Sequence, residues 1–273
     1  MLALSALGFN IIFGVMRVVN LAHGDFVVLA AMVSALAFAQ TGANPLALLP
    51  VAAAGGFVLG AAVQRFLLHR LPGEIASGEA SSLTLTFGLS FFLAGGGLAL
   101  FGGTYRSVPY LTGAFHVGGI SVPHAKLLSF GLALALAAAL GAFLRYTRLG
   151  SSIRAASQNH DGALACGIET ETVRTVSFGV GTAVAACAGT LMSMIYNLNP
   201  QLGVGFTVSA FAVVVIGGLG SYAGCIAGAA ILGLASSFAS YYAGASLAEA
   251  APYVLFILIS LLMPTGLLGR RTA

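Results

Sequence analysis

The sequence predicts an all-α fold, a polytopic transmembrane helical bundle of about seven to eight spans, because of its composition and its long apolar segments. Only 7% of the 273 residues are charged, against about 25% in an ordinary soluble domain. Apolar segments of roughly 20 residues recur along the whole length, and each could cross a hydrocarbon core about 30 Å thick as a helix. We therefore treat residues 1–273 as a single transmembrane domain.

Polar breaks and turn residues set the limits of the predicted segments. These are 1–16, 26–39, 46–68, 83–101, 126–144, 175–196, 204–219, 222–243 and 252–268, with long polar loops at 102–125 and 145–174. The first segment would be only about 24 Å long as a helix. Because that is short for a crossing, we expect the natural chain to begin further upstream.

The positions of the arginines predict the orientation, since cytoplasmic loops are rich in Lys and Arg. With 83–101 and 126–144 as two crossings, loops 65–82 and 145–174 lie on the same, cytoplasmic side, and they hold Arg65, Arg70, Arg145, Arg148, Arg154 and Arg174. Arg270 and Arg271 join them if 204–219 crosses fully instead of re-entering, and we favour the crossing. The scattered charge excludes a nucleic-acid surface. Three cysteines without metal-binding spacing predict no metal site, and no cofactor is expected.

The stretch "RVVNLAHGDF" at 17–26 interrupts two apolar segments with polar residues. One interpretation is a break at membrane depth between two short helices, which lines a translocation path or forms its inner gate. In that case Asn20, His23, Gly24 and Asp25 are the candidate residues, with Gly24 supplying conformational freedom and Asn20 capping the following helix. The alternative is an ordinary cytoplasmic turn in which His23 is hydrogen-bonded to a neighbour.

A second candidate is the glycine-rich stretch "VIGGLGSYAGCIAGA" at 215–229. Gly220, Gly224 and Gly228 have the four-residue spacing that lets membrane helices pack closely. The other interpretation is a kinked or broken helix at a gate, formed by Gly217, Gly218 and Gly220. The polar breaks "NLAHG" and "NLNPQLG" both precede an apolar segment, which suggests an internal repeat.

The 145–174 loop is longer than a simple connection requires. Within it, "SSIRAASQNHDGALACGI" predicts a short helix that Ser151 or Ser152 caps and Gly167 ends. Its interrupted apolar face consists of Ile153, Ala156, Leu164 and Ile168. Such a helix either lies on the bilayer surface as a spacer or docks in a groove of a cytoplasmic partner.

Several functional classes are disfavoured by the residues themselves. The chain has no GxSxG or HExxH motif, which argues against an intramembrane enzyme. It has no GxxxxGK[ST] motif, so ATP would have to be hydrolysed by another polypeptide. An ion-coupled secondary transporter would carry more ionisable residues within its spans than Asp25 and Glu249. A passive channel would not need the helix-forming loop.

Three stretches together resemble the LivH-type permease subunit of branched-chain amino acid ABC importers. They are "GFNIIFGVMRVVNLAHGDF", "LGSSIRAASQNHDGALACGI" and "GFTVSAFAVVVIGGLGSYAGCIAGA", which lie at the front, middle and back of the chain in the family's order. Permeases of ABC importers carry a loose Glu-Ala-Ala, three residues, Gly pattern in the cytoplasmic loop. Here Asp161, Gly162, Ala163 and Gly167 stand at those positions, and the first two depart from the pattern. The resemblance makes 145–174 the ATPase-coupling loop, with contacts at Arg154, Ala155, Asn159, Asp161, Ala163, Gly167 and Ile168.

The resemblance also implies the partners and the cargo. We expect a non-enzymatic transport subunit in the bacterial cytoplasmic membrane, assembled with a second, LivM-like permease subunit. Two cytoplasmic ABC ATPase subunits would supply the energy, and a periplasmic or extracytoplasmic solute-binding protein would deliver the cargo. The implied substrates are leucine, isoleucine and valine, although similar permeases carry urea, short amides or other amino acids.

Overall fold

The computed structural model describes residues 1–69, 79–117, 120–263 and 265–269. Within these ranges the chain forms eleven α-helices and one β-hairpin. The helices are α1 (Leu2–Met16), α2 (His23–Thr41), α3 (Pro45–Val63), α4 (Glu79–Phe101), α5 (His124–Tyr146), α6 (Arg148–Gln158), α7 (His160–Ala165), α8 (Thr170–Met192), α9 (Gly203–Gly217), α10 (Tyr222–Ala243) and α11 (Ala245–Leu262). Seven segments are long and apolar enough to cross a membrane, which confirms the predicted helical membrane bundle.

Helix α8 lies at the centre of the bundle and is in contact with α1, α2 and α3. Small residues allow the close approach: a Cβ on Gly181 would overlap Ile12, and one on Gly189 would lie 2.8 Å from the carbonyl carbon of Val27. Gly8 faces Gly181 while Leu4 packs with Leu191, so α1 and α8 are antiparallel. The predicted segment 175–196 is shifted, because the amphipathic first turn from Thr170 is already helical and the helix ends at Met192.

The two ends of the bundle are defined by contacts between distant loops. At one end His69 Nδ1 lies 2.9 Å from a carboxylate oxygen of Glu171. The predicted cytoplasmic segments therefore do meet at one end, although Arg70, Arg270 and Arg271 lie outside the described residues. At the other end Val108 donates a backbone hydrogen bond to Ser193 at 2.8 Å. Residues 193–217 run from this second end back towards the first, which supports the predicted crossing of 204–219.

The predicted polar loop 102–125 is partly ordered as a hairpin. Strand β1 (Ala114–Val117) pairs antiparallel with β2 (Ile120–Pro123), with Phe115 opposite Val122. Helix α5 starts directly after β2, at His124. The all-α prediction therefore holds for the bundle, and the exception lies in one loop.

Candidate functional site

The first helix break is shorter than predicted and comprises residues 17–22. Asn20 Oδ1 accepts a hydrogen bond from the Ala22 nitrogen at 3.1 Å, which forms a tight turn ahead of α2. The predicted cap is therefore wrong, because Ala22 is the N-cap residue and no side chain caps α2. His23, Gly24 and Asp25 form the first turn of α2, and this helix has 19 residues. The prediction of two short helices holds for α1 alone.

His23 lies inside the bundle against α1. Its Nε2 is 2.9 Å from the carbonyl oxygen of Ser5, and its ring meets Phe9 edge-on with 5.3 Å between centroids. Because a carbonyl oxygen only accepts, Nε2 carries the proton in this hydrogen bond. The side chain is 0% exposed, and Nδ1 has no hydrogen-bond partner among the described residues. This enclosure favours the interpretation of a break at depth over an ordinary cytoplasmic turn.

Asp25 connects three helices. Ser90 of α4 donates a hydrogen bond to Oδ2 of Asp25. The other oxygen, Oδ1, lies against Gly203 at the start of α9 and has no hydrogen-bond partner within the described ranges. The side chain is only 3% exposed. Helix N-termini carry partial positive charge, so the starts of α2 and α9 both stabilise a carboxylate here.

A small cavity adjoins Asp25 at the contact between α2 and α4. Its other lining residues are apolar: Val28, Leu29, Met32, Leu93, Gly97, Phe101 and Pro200. Unfilled space therefore lies beside the buried carboxyl group where α4 packs on α2.

Gly24 is required for packing and not for conformational freedom. It has ordinary helical geometry, and its backbone N–H donates to Thr207 Oγ1 of α9 at 2.8 Å. A Cβ at this position would overlap the carbonyl oxygen of Gly203 and would lie 2.6 Å from the Thr207 nitrogen. The predicted role of Gly24 is corrected accordingly: it lets the N-termini of α2 and α9 meet.

The second helix break, residues 193–202, is longer than the first but contains the same kind of asparagine turn. Asn199 Oδ1 accepts from the Gln201 nitrogen at 3.1 Å, a 3₁₀ turn covers Pro200–Leu202, and α9 begins at Gly203. Asn20 and Asn199 thus form equivalent turns before α2 and α9. Since α1 and α8 are antiparallel and the two following helices start at one point, the arrangement is consistent with an inverted internal repeat.

The glycine-rich stretch contains the turn between α9 and α10. Helix α9 ends at Gly217, and Gly218 and Gly220 have φ angles of 104° and 79°. A Cβ on Gly224 or Gly228 would overlap the backbone of α9, so the predicted close packing holds for these two glycines; it is wrong for Gly220, where a Cβ would have no neighbour within 4 Å. The turn joins two spans instead of interrupting one, and a gate at this point stays a prediction. The close contact joins Gly217 to Gly224, where a Cβ on Gly217 would lie 2.7 Å from the Cys225 nitrogen.

The backbone groups at the end of α9 and in the turn after it form hydrogen bonds with residues from distant parts of the chain. Asn10 of α1 accepts a hydrogen bond from the Gly220 nitrogen at 2.9 Å. The nitrogens of Leu267 and Leu268 donate to the carbonyls of Ile216 and Gly217 at 2.9 and 3.0 Å. The turn after α9 is thereby fixed to α1 and to the last described segment.

The 145–174 loop holds two short helices where one was predicted. Thr147, and neither Ser151 nor Ser152, caps α6 by accepting from the Gly150 nitrogen at 2.9 Å. Asn159 is extended, so it ends α6, and its Oδ1 caps α7 by accepting from the Gly162 nitrogen at 2.9 Å. Gly167, with a φ of 77°, ends α7 as predicted. Tyr146 and Thr170 belong to the flanking helices, so the connection is shorter than the sequence indicated.

The predicted apolar face of this loop packs mainly on the bundle and leaves little for a partner. Ile153, Ala156 and Ala163 are buried in the cluster that includes residues of α1 and α9. Leu164 and Leu149 are 49% and 46% exposed. Among the other predicted contact residues, Asn159, Asp161 and Gly167 are exposed, Ala155 and Ile168 are half-buried, and Arg154 donates to the carbonyl of Leu144. We name α6 and α7 the coupling helices.

Sequence reasoning missed several residues that complete the site. Ser90 and Thr207 carried no signal, because serine and threonine occur throughout the predicted spans. Asn10 could have been found, since a polar amide within an apolar segment needs a partner. In the described part of the chain, no group of three His, Cys, Asp or Glu side chains could hold a metal ion.

Comparison with known proteins identifies the family. The model of the permease component of branched-chain amino acid transport systems matches residues 1–263. The high-affinity branched-chain amino acid transport system permease protein LivH of Salmonella typhimurium is 30% identical, over 98% of this chain and 91% of that protein. Its counterpart BraD of Pseudomonas aeruginosa is 26% identical over the same shares. No solved structure gives a significant match. The chain is a multi-pass membrane protein that belongs to the family of branched-chain amino acid transport permease components.

Proposed function

We propose that this chain is the membrane-spanning permease subunit of an ATP-driven importer of leucine, isoleucine and valine in the bacterial cytoplasmic membrane. It acts with a second permease subunit, two cytoplasmic ATPase subunits and a solute-binding protein outside the cytoplasm. The observation that carries the proposal is the pair of coupling helices. They are folded on the bundle at the end where Arg17, Arg145 and Arg148 lie, and they leave Leu149 and Leu164 exposed.

Exposed leucines on a short helix pair suit a groove in a cytoplasmic partner, because apolar surface is stabilised by removal from water. A helix pair that served only as a spacer on the bilayer would direct its apolar face to lipid. Here most of that face is buried in the bundle, since Ile153, Ala156 and Ala163 are each 4% exposed. The surface left for a partner consists of the two leucines and neighbouring polar residues.

We further propose that Asn20, His23, Gly24 and Asp25, at the start of α9, and Gly217, Gly218 and Gly220, at its end, line the translocation path or its gate. The support is the burial of Asn20, His23 and Asp25 between helices, where α2 and α9 both begin. Buried polar groups at helix breaks are typical of substrate sites in transporters. Because these side chains are enclosed in this conformation, they act as a gate that opens when α4 moves and not as walls of a standing channel.

Reconstitution tests the proposal. Alone in liposomes the chain should give no saturable leucine uptake, and uptake should appear when all partner subunits and ATP are supplied. Clear uptake by the chain alone would contradict the importer and favour a channel or a secondary carrier. Competition by urea, a short amide and other amino acids in the complete system measures which cargo is preferred. Preferred uptake of any of these over leucine would overturn the branched-chain assignment.

Gate residues are tested by Asp25→Asn and His23→Ala. Both substitutions should lower transport more than they lower membrane insertion or assembly with the other subunits. Asp25→Asn keeps the size of the side chain and can still accept a hydrogen bond from Ser90. A loss of transport would therefore be caused by the loss of the negative charge and not by a change of shape. Normal transport by both variants would mean that this helix start is only structural.

A further inference from the structure

Arg17 ends α1 in a conformation that glycine normally adopts. Its φ and ψ are 56° and 22°, and its backbone N–H donates to the Phe13 carbonyl at 2.8 Å. Residues with side chains are strained in this region, which is why glycine predominates at such helix ends. When a residue other than glycine occupies such a strained position, its side chain is expected to have a role.

The side chain of Arg17 reaches the first of the coupling helices. Its Nη2 donates to the carbonyl oxygen of Ser157 at 3.1 Å. Ser157 lies in the last turn of α6, where carbonyl groups have no partner within the helix and carry partial negative charge. A guanidinium group is a positively charged hydrogen-bond donor, so it suits this position.

On its other side Arg17 is joined by the main chain to the proposed gate. The hydroxyl of Thr86 in α4 is shared between the carbonyl of Val19, at 3.3 Å, and that of Leu83 in its own helix, at 3.1 Å. The carbonyl of Leu21 accepts a hydrogen bond from Thr207 of α9 at 2.9 Å. His23 and Asp25 follow directly. A displacement of Arg17 is therefore passed into a segment whose carbonyl groups hold both α4 and α9.

We propose that Arg17 transmits movement of α6 to the first helix break and thereby to the gate. It acts as a positioning residue and does not contact the cargo. The inference rests on the proposed function, since it requires that an ATPase displaces the coupling helices. Apolar packing around Ile153 and Ala156 also joins α6 to the bundle, but apolar contacts are non-directional. A hydrogen bond has a preferred geometry, so the bond to Ser157 makes the displacement of α6 act on one point of the chain.

The test compares Arg17→Gly, Arg17→Asn and Arg17→Lys in the complete reconstituted importer. Glycine and asparagine both tolerate the left-handed conformation, so these variants remove the guanidinium without adding backbone strain. The quantities measured are ATPase co-purification, ATPase rate and leucine molecules transported per ATP hydrolysed. The control is Arg65→Asn, because Arg65 is exposed at the same end of the bundle.

Arg17→Gly and Arg17→Asn should keep ATPase co-purification and hydrolysis, while leucine transported per ATP falls at least about tenfold. Arg17→Lys should recover part of the coupling, and Arg65→Asn should match the wild type. A coupling ratio within twofold of wild type in both the Gly and Asn variants would overturn the proposal. Loss of ATPase co-purification in these variants would also overturn it, because Arg17 would then act in assembly. A wild-type chain that binds no ATPase would instead contradict the proposed function itself.

Discussion

Gly24→Ala tests whether the close approach of α2 and α9 is required for the stability of the fold. The added Cβ would overlap the Gly203 carbonyl and would lie 2.6 and 2.8 Å from the nitrogen and Oγ1 of Thr207. Two of these atoms belong to the backbone, so they cannot be displaced by a change of rotamer. The two helices would have to separate, which would also break the hydrogen bond from Gly24 to Thr207.

The expected loss of stability combines the overpacking with the loss of one hydrogen bond. Overpacking of a tightly packed interior typically costs about 1–3 kcal/mol, and a lost intramolecular hydrogen bond costs about 1 kcal/mol. The higher helix propensity of alanine offsets up to about 1 kcal/mol. The net loss is about 1–3 kcal/mol, which for a chain of this size corresponds to a fall of roughly 2–12 °C in Tm.

Gly205→Ala is the matched control, because it makes the same substitution one half-turn along α9 from Gly203. A Cβ at Gly205 would have no neighbour within 4 Å. Thermal unfolding of both purified variants in one detergent measures the difference between them. Gly205→Ala should unfold at or above the wild-type temperature, and Gly24→Ala below it. Equal unfolding temperatures for the two variants would refute the claim that contact between the two helix starts stabilises the bundle.

Two further pairs of variants test the site and the coupling helices. Ser90→Ala leaves a buried oxygen of Asp25 without its donor and should lower the free energy of unfolding by about 1–3 kcal/mol. The control Ser129→Ala removes a buried hydroxyl that has no described partner, so it should not lower the Tm. A Ser90→Ala variant as stable as Ser129→Ala would mean that the hydrogen bond to Asp25 does not stabilise the protein. Leu164→Glu should lower ATPase co-purification without lowering the Tm. Ala163→Glu should lower the Tm, because Ala163 is only 4% exposed and packs in the core. The reverse pattern would mean that the partner binds the opposite face of α7.

The residues by themselves determine the class of the protein and the position of its long polar loop at 145–174. Low charge and long apolar segments require helices in a bilayer, because a backbone in lipid must satisfy its own hydrogen bonds. The end of α7 was also predictable, since only the local conformation of Gly167 is involved. Helix limits were less accurate at 23–25 and at 170. His23 and Asp25 resemble a loop but are helical because tertiary contacts satisfy them, and α8 begins at Thr170 instead of residue 175.

Only the tertiary structure decided which polar groups meet. Asp25 and Ser90 are 65 positions apart, Gly24 and Thr207 183, and Asn10 and Gly220 210. No periodicity within one segment specifies such pairs, because they depend on how α1, α2, α4 and α9 pack together. The same packing reverses the apparent role of Ala163, whose small side chain is buried in the bundle although the sequence predicted a partner contact. Local composition thus determined where helices form and end, and long-range packing determined what each of their faces contacts.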